Sequence, residues 1–172
     1  MTIALALAVL ASGPIQTSPE LGKTEGRCRP GETGPALQLV TKGLKDRSGL
    51  LKVEVYPSND HDFLEDDNIL LNAGKTFRRV EAAIPQSGDP LVCIRVPSAG
   101  VYSVVMMHDR NSNHKLNITQ DGIGIPNHPR LGWPKPSAAA TRVNAGPGLT
   151  RIEVMMNYKS GLFSFSPLKQ GQ

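Results

Sequence analysis

From Ala36 onward, apolar and polar side chains alternate in short runs, and a period of two predicts strands rather than helices. Leu37, Leu39 and Thr41 share one face of a first strand, and Leu51, Val53 and Val55 oppose Lys52 and Glu54 in a second. Val80, Ala82 and Ile84 oppose Arg79 and Glu81 in a third, which Pro85 stops. Val92, Ile94 and Val96 form a fourth between Pro90 and Pro97. The fifth, Val101 to Met107, is apolar on both faces, as expected of a central strand covered on both sides by an N-terminal arm or a neighbouring loop. Ile152, Val154 and Met156 oppose Arg151, Glu153 and Asn157 in the last clear strand, and a weaker one lies near Thr141 to Val143.

Short strands separated by turn signals predict an all-β domain of about seven strands over residues 36–158, arranged as an antiparallel two-sheet sandwich. Phe63 to Leu71 offers one or two helical turns at most, because its apolar residues gather at the ends. Residues 12–35 lack periodicity and read as a linker or an ordered arm, and 159–172 as a peripheral tail.

Composition adds compartment and excludes partners. A chain of 172 residues suits one domain, and its 17 glycines and 14 prolines favour turns over long helices. The net charge of +4 comes from scattered Lys and Arg, with eight aromatic residues to stack on bases, so a nucleic-acid partner is not expected. Thr2 to Ser12 is uncharged and largely apolar, too short to span a bilayer, and ends in Val9-Leu10-Ala11. Residues 1–11 therefore read as a signal peptide that lacks a basic leading segment, which predicts a periplasmic or secreted protein with no transmembrane span in the mature chain.

Cys28 lies in a Gly- and Pro-rich segment, and Cys93 shares the strand face of Leu91 and Arg95, away from the core row. In an oxidising compartment the two can pair if the N-terminal segment is laid across the sheet; spacing alone also permits two separate thiols. The acidic cluster Asp60, Asp62, Glu65, Asp66 and Asp67, with His61 among them, reads as a solvated loop.

The segment His108 to Pro126 is long, polar and without apolar periodicity, and such loops are functional or disordered. Asp109, Asn111 and Asn113 alternate, and Asn117 and Asp121 follow, a pattern that can turn oxygens toward a hard cation such as Ca²⁺. Three features weaken a calcium loop: His114 stands where Gly is wanted, Gln120 where a bidentate Glu is wanted, and the segment follows a strand. The alternative is an Asx-rich turn in which these side chains bond nearby backbone N–H groups. His108 adjoins Asp109, but successive strand residues face opposite ways, so a His–Asp dyad is not expected. His108 instead reads as a residue of the strand end, and with Trp133, set between Gly132 and Pro134, as a candidate binding residue. G-x-S-x-G, H-E-x-x-H and glycine-rich phosphate loops are absent from the chain, which leaves no catalytic residue to nominate.

The run Gly100-Val101-Tyr102 to His108-Asp109-Arg110-Asn111-Ser112-Asn113, then Leu116, then Gly124-Ile125-Pro126, resembles a bacterial domain-of-unknown-function family, the one numbered 2141. The likeness extends over roughly Ala36 to Tyr158 and includes Leu44 to Tyr56 as an opening hairpin. It implies an exported protein with an immunoglobulin-like or prealbumin-like sandwich and no established activity. The chain departs from the family pattern where Ser112 and His114 replace Gly, where Asn117 replaces Asp, and near His128, where an acidic residue is usual. Each change removes a flexible turn position or a carboxylate, so any metal held by the family loop should bind less well here. The resulting expectation is a non-enzymatic exported binding or accessory domain, with His108–Pro126 as its working rim and an unidentified envelope or extracellular partner. Two alternatives stand beside it: weak Ca²⁺ binding or metal-assisted catalysis at the loop, and a purely structural cell-envelope module.

Overall fold

The computed structural model describes residues 13–132 and 134–168, so the signal-peptide expectation for residues 1–11 and the side chain of Trp133 lie outside the described residues. In chain order the strands are β1 (Ala36–Lys42), β2 (Leu50–Pro57), β3 (Arg78–Ala83), β4 (Leu91–Arg95), β5 (Gly100–Asp109), β6 (Gly122–Ile125), β7 (Leu131–Gly132), β8 (Arg142–Ala145), β9 (Leu149–Lys159) and β10 (Ser164–Ser166). A short α-helix, α1 (Asp67–Asn72), follows β2, and a 3₁₀ turn, Ala138–Thr141, precedes β8. The periodicity located β1 to β5, β8 and β9; it did not reveal β6, β7 or β10.

The order across the sheet is β3-β2-β5-β6-β9-β1-β4, with β8 beside the first half of β5 and β10 bridging β9 and β7. All named pairs are antiparallel except β1 and β9, which run parallel from Ala36 opposite Leu149 to Lys42 opposite Met155. The antiparallel two-sheet sandwich expected from the sequence is thus corrected to one mixed, nearly closed, barrel-like sheet. Alternation fixes which face a side chain takes, but neither the neighbour of a strand nor its direction. The inward rows fill one core, in which Leu39, Val53, Val80, Val92, Val104 and Met156 are essentially inaccessible to solvent.

The seam of the barrel lies between the edges of β3 and β4, and the N-terminal arm occupies it. Thr24 N–H donates to the Arg79 carbonyl and Arg79 N–H to the Gly22 carbonyl, each at 2.7 Å, which adds a parallel bridge to β3. On the β4 side, Cys93 N–H donates to the Gly26 carbonyl at 3.0 Å. Gly26 passes so close to the core that a Cβ there would lie 2.2 Å from Val80 Cγ1 and 3.8 Å from Val92 Cγ1. The disulfide Cys28–Cys93, with S–S at 2.09 Å, then fixes the arm to β4. Edge strands carry unpaired backbone groups that invite other chains, and here the chain's own arm covers part of them.

The outer face of β2 and β3 has a second cover. Tyr56 and Phe77 project outward and pack with Phe63, Leu70 and Ala138, the Tyr56 ring standing edge-on to Phe63 at 5.7 Å. Around them runs a network of charges: Arg79 Nε donates to Glu54 Oε1 at 2.8 Å and its Nη1 to Asp67 Oδ2 at 3.2 Å, while Tyr56 donates to Glu54 Oε2 at 2.7 Å. Thr17 of the arm donates to Asp67 Oδ1 at 2.6 Å. The solvated acidic loop is therefore corrected in part. Asp62 is buried beside Lys75, at 2.5 Å, and Asp67 beside Arg79, cations distant in sequence. Asp60 Oδ1 accepts from the Ala138 N–H at 2.6 Å. Lys75 first, then Asn59 and His61, hold the Asp62 carboxyl well below the usual carboxylate range. The tail after Ser160 is likewise more than peripheral, since β10 pairs with two strands and Leu168 packs on the core.

Candidate functional site

β5 separates the two residues that head the polar loop. His108 ends the inward row and is fully buried; Asp109 turns outward into the loop. Lys45 N–H donates to the Tyr158 hydroxyl at 2.9 Å, Tyr158 O–H lies 2.7 Å from His108 Nδ1, and His108 Nε2 lies 2.9 Å from the Ser48 carbonyl. A carbonyl only accepts, so Nε2 carries a proton, and in the neutral ring that burial favours Nδ1 accepts from Tyr158, which makes His108 a link in a chain of three bonds. Burial lowers its pKa from the ordinary 6.5, and burial pushes the Tyr158 hydroxyl up to about 12. Both ring nitrogens of His108 are engaged inside the protein, away from the working rim for which it was a candidate.

The side-chain oxygens of the loop face its own backbone. Asp109 accepts from the N–H groups of Asn113 at 3.2 Å and His114 at 2.7 Å. Asp121, also buried, accepts from Arg110 N–H at 3.0 Å and Asn117 N–H at 2.8 Å, closing the two ends of the loop on one carboxylate. Asn111 accepts from Asn113 N–H at 3.3 Å, Asn113 from Lys115 N–H at 2.9 Å, and Asn117 from Thr119 N–H at 3.0 Å. These are Asx turns, which supply partners for a connection that has no strand to pair with. Among the described residues, no three His, Cys, Asp or Glu side chains are grouped as metal ligands. Ser112 at φ 54° and His114 at φ 62° adopt the left-handed conformation in which an L side chain is strained. These are the two positions at which the family resemblance implied Gly.

The loop is fastened to its surroundings by charge. Arg110 donates to Asp46 Oδ2 through Nε at 2.8 Å and to the Gln120 carbonyl through Nη1 at 3.0 Å. His114 Nδ1 lies 2.7 Å from Glu81 Oε1 on β3, and Lys52 Nζ donates to the His114 carbonyl at 3.2 Å. Burial works against the charge on Glu81, but the His114 ring and the Lys23 ammonium outweigh it and hold that carboxyl below its usual range. His128 is exposed on the following turn, so the histidines of this region occupy separate settings.

Held this way, the loop stands beside an apolar cleft of about 500 Å³. Its floor is the outer face of β5 and β6: Val105, Met107, Ile123 and Ile125. The rest of the apolar lining comes from Leu116 and Ile118 of the loop, from Leu131, Pro134 and Pro136, and from Phe165 of β10. Leu64 and Lys135 also line the cleft, and the Lys135 ammonium donates to the Phe63 carbonyl. Lys52 and Glu54 are the remaining charged lining residues. Gly122 and Gly124 make the floor possible: side chains there would drive a Cβ within 2.6 Å of Tyr158 or Val154, so β6 presses flat on the core and sends only Ile123 and Ile125 outward. Trp133 lies outside the described residues, but its chain neighbours Gly132 and Pro134 both line the cleft.

Sequence reasoning named the loop and missed the cleft. The available signal was the double apolar face of β5, read as a sign of cover on both sides; among the described residues the outer cover comes from this loop with Leu131, Pro134 and Pro136, and it leaves the cleft. Among the described residues, no helix is long and apolar enough to cross a membrane. No curated protein and no solved structure matches the chain. Residues 40–153, which include β2 to β8 and the whole polar loop, match the family described as an uncharacterized protein conserved in bacteria, and the chain belongs to that family, domain of unknown function 2141.

Proposed function

We propose that the protein is an exported, non-enzymatic binding domain whose ligand site is the apolar cleft beneath the polar loop. The observation that carries this reading is the cleft itself: about 500 Å³, lined mainly by apolar side chains above the outer face of β5 and β6. Ligand sites are concave, mostly apolar and of this size, with a few polar groups that set orientation. The loop is the working rim in a specific sense. Its Asx turns are internally satisfied, and their role is to hold Leu116 and Ile118 over the floor. Export is supported by the apolar run at residues 1–11 and by the disulfide, which persists in oxidising compartments. We relate the barrel-like sheet to immunoglobulin-like and prealbumin-like layouts on its short strands around one core.

The test is displacement of an environment-sensitive apolar dye. The folded protein should enhance dye fluorescence, and the double variant M107E/I123E should abolish the enhancement while a thermal melt confirms that it folds. Enhancement that survives in the folded double variant would place binding elsewhere. Mass analysis of protein recovered from the periplasm or medium of a bacterial host should show a chain that begins near Ser12.

A further inference from the structure

Three properties of the cleft narrow its ligand. First, the floor is a sheet face and not a sheet edge. β5 pairs with β2 from Tyr102 to Asp109 and with β6 from Met106 to His108, and β6 pairs in turn with β9, so the strands under Met107 and Ile123 have a hydrogen-bonded neighbour on each side. Among the described residues, no buried side-chain N or O lacks a partner. A peptide laid here would leave its own N–H and C=O groups without partners, at a cost that a hydrocarbon chain does not incur.

Second, the charges lining the cleft do not balance. Lys52 stands 3.4 Å from Glu54, and Glu54 is further held by Arg79 and Tyr56. Lys135 is left as an excess cation, because among the described residues no carboxylate pairs with it. Third, the Lys135 ammonium donates to the Phe63 carbonyl and lies 5.6 Å from the Phe63 ring centroid, so it is positioned at the cleft yet retains two of its three donors.

We infer that the cleft takes a single unbranched alkyl chain with a terminal carboxylate, a free fatty acid, with the chain on Met107, Ile123 and Ile125 and the carboxylate on Lys135. This rests on the cleft being the binding site and adds the class of ligand. A neutral alcohol of the same chain keeps the apolar contacts but loses the charged hydrogen bond, and an alkylammonium ion meets Lys135 with like charge.

The experiment is competition against the apolar dye by decanoate, decanol and decylamine, on the full chain and on Lys135→Met. Decanoate should compete about tenfold better than decanol, and Lys135→Met should remove that advantage while leaving decanol within about twofold. Equal competition by decanoate and decanol, or a preference that survives Lys135→Met, would overturn the carboxylate assignment and leave the cleft reading intact. Failure of all three against a dye that binds the cleft would overturn the alkyl-chain inference, whereas a dye that binds regardless of M107E/I123E would overturn the cleft reading. Co-sedimentation with anionic phospholipid vesicles, unaffected by excess decanoate, would assign the site to a membrane surface and overturn the free fatty acid.

Discussion

The outer face of the sheet is covered twice, and the two covers are chemically opposite. Over β2 and β3, Asp67 of α1 and the N-terminal arm close on Glu54 and Arg79, and the charges are matched within 2.8–3.2 Å. Over β5 and β6 the loop, with Leu131, Pro134 and Pro136, closes on aliphatic side chains and leaves a cleft of about 500 Å³ among the described residues. Saturated polar contacts make the first region part of the architecture. Unfilled apolar surface makes the second a place for something else, because burying that surface is favourable at about 25 cal/mol per Å².

The comparison predicts that substitutions in the first region cost stability and those in the second cost binding. The largest effect should come from the staple that holds the arm in the seam. Cys28 and Cys93 are 65 residues apart, and the pair C28S/C93S should lose about 4 kcal/mol by the loop-entropy estimate, seen as a lower midpoint in urea unfolding. Arg79→Met comes next: it removes the cation shared by Glu54 and Asp67, leaving Glu54 to Lys52 and Tyr56 and Asp67 to Thr17, and should cost about 3 kcal/mol. Lys135→Met in the cleft should change stability by less than about 0.5 kcal/mol. Equal costs for Arg79→Met and Lys135→Met would erase the distinction between the two regions.

A smaller effect should appear with pH at the inner end of the loop. His108 takes a proton near pH 6.5 when unfolded, and burial lowers that value in the folded protein. Below pH 6.5 the unfolded chain therefore binds more protons, so stability should fall with pH, by at most about 1.4 kcal/mol per unit, until the folded-state value is passed. Above pH 6.5 this contribution is constant. His108→Gln should lose the slope over that window, and an unchanged slope would remove His108 as its source.

The smallest effect concerns the loop itself. Ser112→Gly relieves the strain at φ 54° but frees the unfolded chain, for a net gain of about 0.5 kcal/mol in the same unfolding assay. A loss would mean that the Ser112 side chain makes a contribution greater than that strain.

Legibility in the sequence followed the range of the interaction. Strands β1 to β5 and β9 announced themselves because alternation is local, and so did the divergence of His108 and Asp109. Cys93 could be placed outside the core row for the same reason. The parallel β1–β9 pair, the arm in the seam and the burial of Asp62 and Asp67 depend on partners far along the chain, which no local pattern encodes. β6 escaped notice because glycine alternates there with isoleucine, so the inward row carries no side chain to mark the period. The cleft was half visible, as an apolar outer row on β5 in want of a cover, but its second apolar strand was hidden in that Gly-Ile repeat.

The central claim, that the open apolar face of β5 and β6 is the binding surface, is tested most directly by methyl NMR of the ¹³C-labelled full chain titrated with decanoate. The account predicts shifts at Met107, Ile123, Ile125, Leu116 and Leu131, with Leu39, Val53 and Ile94 unmoved. Shifts confined to methyls away from the cleft, or spread evenly through the core, would contradict it.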